Sequence, residues 1–89
     1  MSKLVNVGFY NFVAITSIIA VIDYRLVAAR RIVKSVREER PRNIMDLTKS
    51  KGIRSLVVLT GDRYVLSNVY PRKLVGRIQT IFDEDDSDT

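Results

Sequence analysis

The 89-residue chain contains no cysteine and no histidine, which excludes disulfides and Cys/His metal sites and leaves no imidazole for acid–base chemistry near neutral pH. One domain of this size has a small core, and a hydrophobic content of 46% can furnish an intersubunit surface as well, so self-association is the expected source of added stability. Ten of the fifteen Lys and Arg lie between Arg25 and Arg54, and five of the ten acids lie in the last seven residues. Residues 1–82 therefore carry fifteen positive and five negative side chains, a net +10, the footprint of a polyanion binder.

From Leu4 to Ile22 no residue is charged. These nineteen residues, followed by Arg25, Arg30 and Arg31, approach the length and flanks of a membrane span. Asn6, Gly8, Asn11, Thr16 and Ser17 interrupt the run, however, and Gly8–Asn11 reads as a turn. The segment is read instead as a strand at Lys3–Val7 and one or two more β segments at Phe12–Ile15 and Ile18–Ile22, β-branched and apolar on successive positions, so that both faces need cover by a helix or a neighbouring subunit. Asp23 suits a helix N-cap. Arg25 to about Glu39 is predicted as a helix with Leu26, Ala29, Ile32, Val33 and Val36 on one side and Arg30, Lys34 and Arg37 on the other. Lys34 and Glu38 are spaced to pair, and Pro41 ends the element.

Ile44–Leu47 reads as a short strand entering the polar loop Thr48–Gly52. Ser55–Thr60 and Arg63–Val69 form a hairpin about Gly61-Asp62, with Tyr64 and Leu66 facing away from Val65, Ser67 and Val69. Pro71 opens a last helix reaching about Phe82, with Leu74, Val75, Ile78, Ile81 and Phe82 at helical spacing. Residues 83–89 are expected to form a disordered acidic tail. The expected fold is α+β, about five short strands with two helices in one domain over residues 1–82.

Asn6-Val7-Gly8-Phe9 with Asn11, Arg30-Arg31, Asp46 with Thr48, Arg54 before Leu56-Val57-Val58, and Val65-Leu66-Ser67-x-Val69-x-Pro71 together resemble the RemA family. These are small bacterial regulators of extracellular-matrix and biofilm genes. The resemblance runs from about residue 5 to 78 and is most specific from hairpin to final helix. It implies a DNA-binding transcriptional regulator with a LytTR-like fold, assembled into a ring with DNA on its outer surface. The family pattern places Gly-Arg-Arg-Thr-Arg where this chain has Ser50-Lys51-Gly52-Ile53-Arg54, and its two adjacent arginines are tied to DNA binding. Lys51 and Gly52 replace them, Arg54 is kept, and Ser17 stands where a further family arginine falls. Lys49 is an added charge. A lysine neutralises phosphate but lacks the bidentate fork of arginine, so this variant should lean on charge more than on geometry.

Lys49, Lys51, Gly52 and Arg54 make a loop suited to phosphate, because glycine permits close backbone approach and successive N–H groups form an anion-binding concavity. The bland alternative is a solvated turn. The helix face Arg30, Lys34 and Arg37 is a second candidate DNA-contacting group, with Arg30 and Lys34 foremost, against the ordinary solvent face of a helix or a face toward a neighbouring subunit. Arg40 and Arg42 belong to a flexible corner at Pro41, Arg63 to the hairpin turn, and Arg72, Lys73 and Arg77 to the last helix, where they could hold the acidic tail. Tyr10 and Tyr64 are the aromatics placed for exposure and base stacking, although such residues more often pack cores. The tail reads as a competitor for the basic surface or as a solubilising segment.

No nucleophile–base–orienter set or glycine-rich phosphate motif is present, so no catalysis, cofactor, metal or small-molecule substrate is expected. The function read from the sequence is transcription regulation by multivalent binding of duplex DNA, through a basic loop repeated around a homo-oligomeric ring, in the cytoplasm. The alternative is a non-catalytic self-assembling scaffold that has lost DNA binding. A membrane-anchored protein using Leu4–Ile22 is a third reading.

Overall fold

The computed structural model describes residues 3–87. Six strands are present: β1 Leu4–Gly8, β2 Asn11–Ala14, β3 Ile18–Asp23, β4 Ile44–Asp46, β5 Ser55–Leu59 and β6 Arg63–Ser67. Two helices, α1 Val27–Glu39 and α2 Pro71–Ser87, complete an α+β domain. β1 and β2 form a hairpin of their own, and the other strands form a sheet in the order β3-β5-β6-β4. Only β4 runs parallel to its neighbour, pairing Ile44 to Asp46 with Tyr64 to Leu66.

Strand alternation explains the layers. Val57, Leu59 and Val65 point to one face, where they meet Val5 and Val7 of the hairpin and Leu74 of α2. Leu56 and Leu66 point to the other, onto Ala29 and Val33 of α1. β5 is apolar from Leu56 to Leu59 because both its faces are covered, as a central strand requires. Two buried serines tie the layers together. Ser67 Oγ donates to the Val7 carbonyl at 2.5 Å and accepts the Val69 N–H at 3.0 Å. Ser55 Oγ donates to the Val69 carbonyl at 2.6 Å.

The stretch from Phe12 to Ile22 makes two strands in different sheets, separated by a 3₁₀ turn at Ile15–Ser17. Phe12 and Ile19 are 54% and 64% exposed, so the helices of one copy leave part of this stretch open. Other expectations are corrected. Asp23 is not the N-cap, because it ends β3 opposite Ser55 and its carboxylate is engaged by Arg25, whose N–H donates at 2.9 Å and whose guanidinium forks onto both oxygens. The helix therefore starts later, with Leu26 at the cap position and largely exposed. Ala29, Val33 and Val36 are buried as expected.

No ion pair joins Lys34 to Glu38 among the described residues. The corner at Pro41 is tied down, since Arg40 Nε lies 2.5 Å from Asp62 Oδ2 and Asn43 Nδ2 donates to the Asp62 carbonyl at 2.8 Å. Helix α2 runs past Phe82 to Ser87, with Gln79 donating to Asp83 one turn on at 3.2 Å. Residues 88 and 89 of the expected tail lie outside the described residues. No helix among the described residues is long and apolar enough to cross a membrane; Leu4–Ile22 is spent on β1, β2 and most of β3.

Candidate nucleic-acid interface

The loop between β4 and β5 is built from its base upward. Asp46, the last residue of β4, accepts both the Thr48 hydroxyl at 2.6 Å and the Thr48 N–H at 2.9 Å on one carboxylate oxygen. These bonds, with the Arg37 guanidinium nearby, hold the Asp46 carboxyl below its ordinary value. Thr48 is only 3% exposed, so the loop leaves the sheet from a buried, polar anchor. The chain then reverses: Lys51 N–H donates to the Thr48 carbonyl at 3.0 Å, with Lys49 and Ser50 at φ 50° and 68°, the pattern of a type I′ turn. Gly52 follows at φ 79° with open space where a side chain would stand. Ile53 turns inward onto the α1 layer, and Arg54 rejoins the sheet by donating its N–H to the Ser67 carbonyl at 2.8 Å.

Two aromatic rings brace the loop. The Lys49 ammonium sits 4.7 Å from the centre of the Phe9 ring, and the Arg54 guanidinium 4.9 Å from that of Tyr70, both within cation–π range. Phe9 belongs to the β1–β2 turn, which is itself unusual. Phe9 and Tyr10 take φ 48° and 60°, a conformation that bulky residues rarely adopt. Asn side chains hold it: Asn11 Nδ2 donates to the Gly8 and Phe9 carbonyls at 2.8 and 3.3 Å, and Asn6 Oδ1 accepts the Gly8 N–H at 2.9 Å. Gly8 suits this turn because its φ is 136°, where any side chain is strained; the space itself would give a Cβ only ordinary contacts with Asn68, Ser67 and Val69. Four non-glycine residues with positive φ thus sit in two loops that touch through Lys49 and Phe9. Tyr10, at the tip, is 86% exposed.

The expected site residues are only partly brought together. Lys49, Lys51, Gly52 and Arg54 share one exposed loop. Arg30 lies at the same end of the sheet, but its Nη1 donates to the Tyr24 and Arg25 carbonyls at 3.2 and 2.7 Å and closes the β3–α1 turn. Lys34 stands about 6 Å further along α1 by helical rise, with no hydrogen-bond or ion-pair partner among the described residues. Tyr64 is half-buried and donates its hydroxyl to Asp62 at 2.7 Å, so it is not a free platform; Tyr70 is 58% exposed, with the Arg54 guanidinium over its ring. Arg72 and Lys73 do not hold the tail: they start α2, and Asp83 lies about 16 Å away along the helix axis. Arg77 is engaged within the domain, donating to the Asn6 carbonyl at 2.7 Å. Sequence reasoning missed Tyr70 as the neighbour of Arg54, and Arg25, Arg72 and Lys73 as residues that line a cleft with Tyr70. The available signal was the Tyr70-Pro71-Arg72-Lys73 run, two cations directly behind a helix-starting proline.

The family model described as RemA-like, Extracellular matrix regulatory protein A-like, matches residues 4–78. The chain belongs to the RemA-like family. It is 33% identical to a protein of Natranaerobius thermophilus over 97% of this chain and 94% of that one. It is also 33% identical to a protein of Brevibacillus brevis, over 94% and 95% of the two chains. A Clostridium kluyveri relative is 29% identical over 94% of this chain and 89% of its own. All three bear the name "Putative regulatory protein". The residues that carried the RemA-like resemblance are mostly the ones that shape the loops: Asn6, Gly8 and Asn11 build the first turn, Asp46 and Thr48 anchor the second, and Ser67 fastens β6 to β1. Ser17, the position of the further RemA-family arginine, lies at the opposite end of the sheet, its carbonyl accepting the Thr60 N–H at 2.8 Å. One copy therefore does not bring that position beside the basic loop.

Proposed function

We propose that this chain is a non-catalytic DNA-binding regulator whose Lys49–Arg54 loop engages backbone phosphates of duplex DNA, and whose copies assemble so that the loop is repeated. The observation that carries the reading is the loop's construction. Its three cations are exposed on a loop whose Lys49, Ser50 and Gly52 are held at positive φ, and two of the three are positioned over aromatic rings. Such strain persists only where the surroundings enforce it and tends to gather at binding sites.

Three cations from one copy neutralise about three phosphates, a log–log salt slope of about 2.7, which gives weak binding at physiological salt. Repetition in a closed assembly converts weak contacts into avidity when the spacing matches the duplex. Self-association is supported by what one copy leaves uncovered. β3 and β4 are open sheet edges, and Phe12, Ile19 and Met45 are exposed beside them or on the hairpin. Burying each such side chain contributes about 1.5–3 kcal/mol. A ring is the closed solution for contacts between unlike edges, and the reading as a DNA-binding regulator goes with work in the cytoplasm.

The second reading, a scaffold without DNA binding, draws on the acids at the far end of α2, which suit the basic end of another copy. The test is alanine at Lys51 and Arg54 together. Both are exposed, so the fold should survive, duplex affinity should fall, and the salt slope should flatten by about 1.8 for each copy engaged. Unchanged affinity and slope would refute the loop assignment.

A further inference from the structure

Beside the loop, a cleft of about 620 Å³ opens between the β3–α1 turn and the start of α2, lined by Asp23, Arg25, Tyr70, Pro71, Arg72 and Lys73. Arg54, the last cation of the loop, lies over the Tyr70 ring that forms one of its walls. The cleft therefore continues the loop's positive surface around the end of the sheet. Three cations, Arg25, Arg72 and Lys73, line it with one carboxylate, and that carboxylate is already occupied: Asp23 is forked by Arg25, with Nη2 to Oδ2 at 2.7 Å. The Arg72 and Lys73 side chains have no hydrogen-bond or ion-pair partner among the described residues, although they stand next to each other and to Arg25 in an exposed wall. Cations left unpaired within a common field concentrate counter-anions.

We infer that this cleft is a second phosphate-contacting surface for duplex DNA, with Arg72 and Lys73 as its principal contacts and Tyr70 fixing Arg54 between cleft and loop. The inference rests on the DNA-binding reading above. The arrangement favours a polyanion over a small free phosphate on two grounds. Arg72 and Lys73 are consecutive on a helix and project about 100° apart, so they reach separate phosphates rather than converge on one. All the cations are exposed, where a single ion pair is worth little, whereas contacts along a charged backbone add through counterion release. The cations also come from three separate elements, the β3–α1 turn, the loop and α2, and so form a track rather than a cage.

The experiment is a fluorescence-anisotropy titration of a duplex with the full chain and with the Arg72→Ala/Lys73→Ala double variant, at several salt concentrations. Circular dichroism checks that the variant is folded; both residues are exposed and have no partner among the described residues, so it should match the wild type. The expected result is a salt slope shallower by about 1.8 for each copy engaged, with weaker binding on every duplex sequence tried. If the wild type binds and the variant binds with the same slope, the cleft is not a contact, while the loop reading stands. If the wild type does not bind at low salt, the DNA reading itself fails and the cleft proposal falls with it. Saturable binding of inorganic pyrophosphate at the cleft without any duplex binding would also overturn it, assigning the cleft to a small phosphate instead.

Discussion

Asp46→Ala tests how the basic loop is held. The carboxylate accepts two bonds from Thr48, at 2.6 and 2.9 Å, and is itself about half exposed. Water can replace the protein on the carboxylate side, but not at Thr48, which is 3% exposed. Removing the acceptor leaves the Thr48 hydroxyl and N–H without partners where solvent does not reach, at a cost of about 1–3 kcal/mol. A loss of about 2 kcal/mol would lower the melting temperature by roughly 8–16 °C in a domain of this size. Urea unfolding followed by circular dichroism measures it, with Thr48→Val and the double variant closing a cycle.

The coupling should be favourable by about 1 kcal/mol or more, because the two groups serve chiefly each other. Asp46→Asn should lie between wild type and alanine, since its amide oxygen still accepts. The pH dependence has a definite sign. The folded carboxyl lies below its ordinary 3.8, so its contribution is fully present above that value and disappears as pH falls through the lower folded value. The stability gap between wild type and Asp46→Asn should close over that acid range. A cost for Asp46→Ala below about 0.5 kcal/mol, the scatter of ordinary surface substitutions, would refute the anchoring argument.

Ser67→Ala should destabilise the domain by about 2–3 kcal/mol in urea unfolding, because a buried carbonyl and the Val69 N–H both lose their partner; a cost under about 0.5 kcal/mol would show that the strand join does not depend on it. Gly52→Ala meets no neighbour within 4 Å but holds φ at 79°, so it should cost about 1–2 kcal/mol of backbone strain alone. Gly52→Arg should carry the same strain and steepen the duplex salt slope by about 0.9 per copy, and an unchanged slope would place Gly52 away from the phosphates. Deleting residues 83–89 removes five acids and should tighten duplex binding at low salt without changing the assembled mass by light scattering. Loss of assembly would favour the scaffold reading.

The parts legible in the sequence are those governed by local rules. Gly61-Asp62 between alternating runs marked β5 and β6, and Pro71 marked the start of α2, because a turn type and a missing N–H act within a few residues. Asp23 and Leu26 misled for a physical reason: helical spacing is satisfied by Leu26, but the Arg25 fork on Asp23 keeps the chain in a turn until Val27. The Phe9–Tyr10 turn was legible as a turn but not as a strained one, since its left-handed backbone depends on Asn11 and on contact with Lys49. The loop's cations could be read directly, whereas their continuation through Tyr70 to Arg72 and Lys73 could not. That juxtaposition depends on β5 and β6 pairing so that Arg54 and the β6–α2 junction share one end of the sheet.

The most direct test of the central claim is an anisotropy titration of a fluorescent duplex of ~40 base pairs, long enough for several loops at once, across a series of salt concentrations. Multivalent phosphate binding predicts tight association with a log–log slope well beyond the ~2.7 available to a single loop. Absence of binding at low salt would contradict the DNA-binding account.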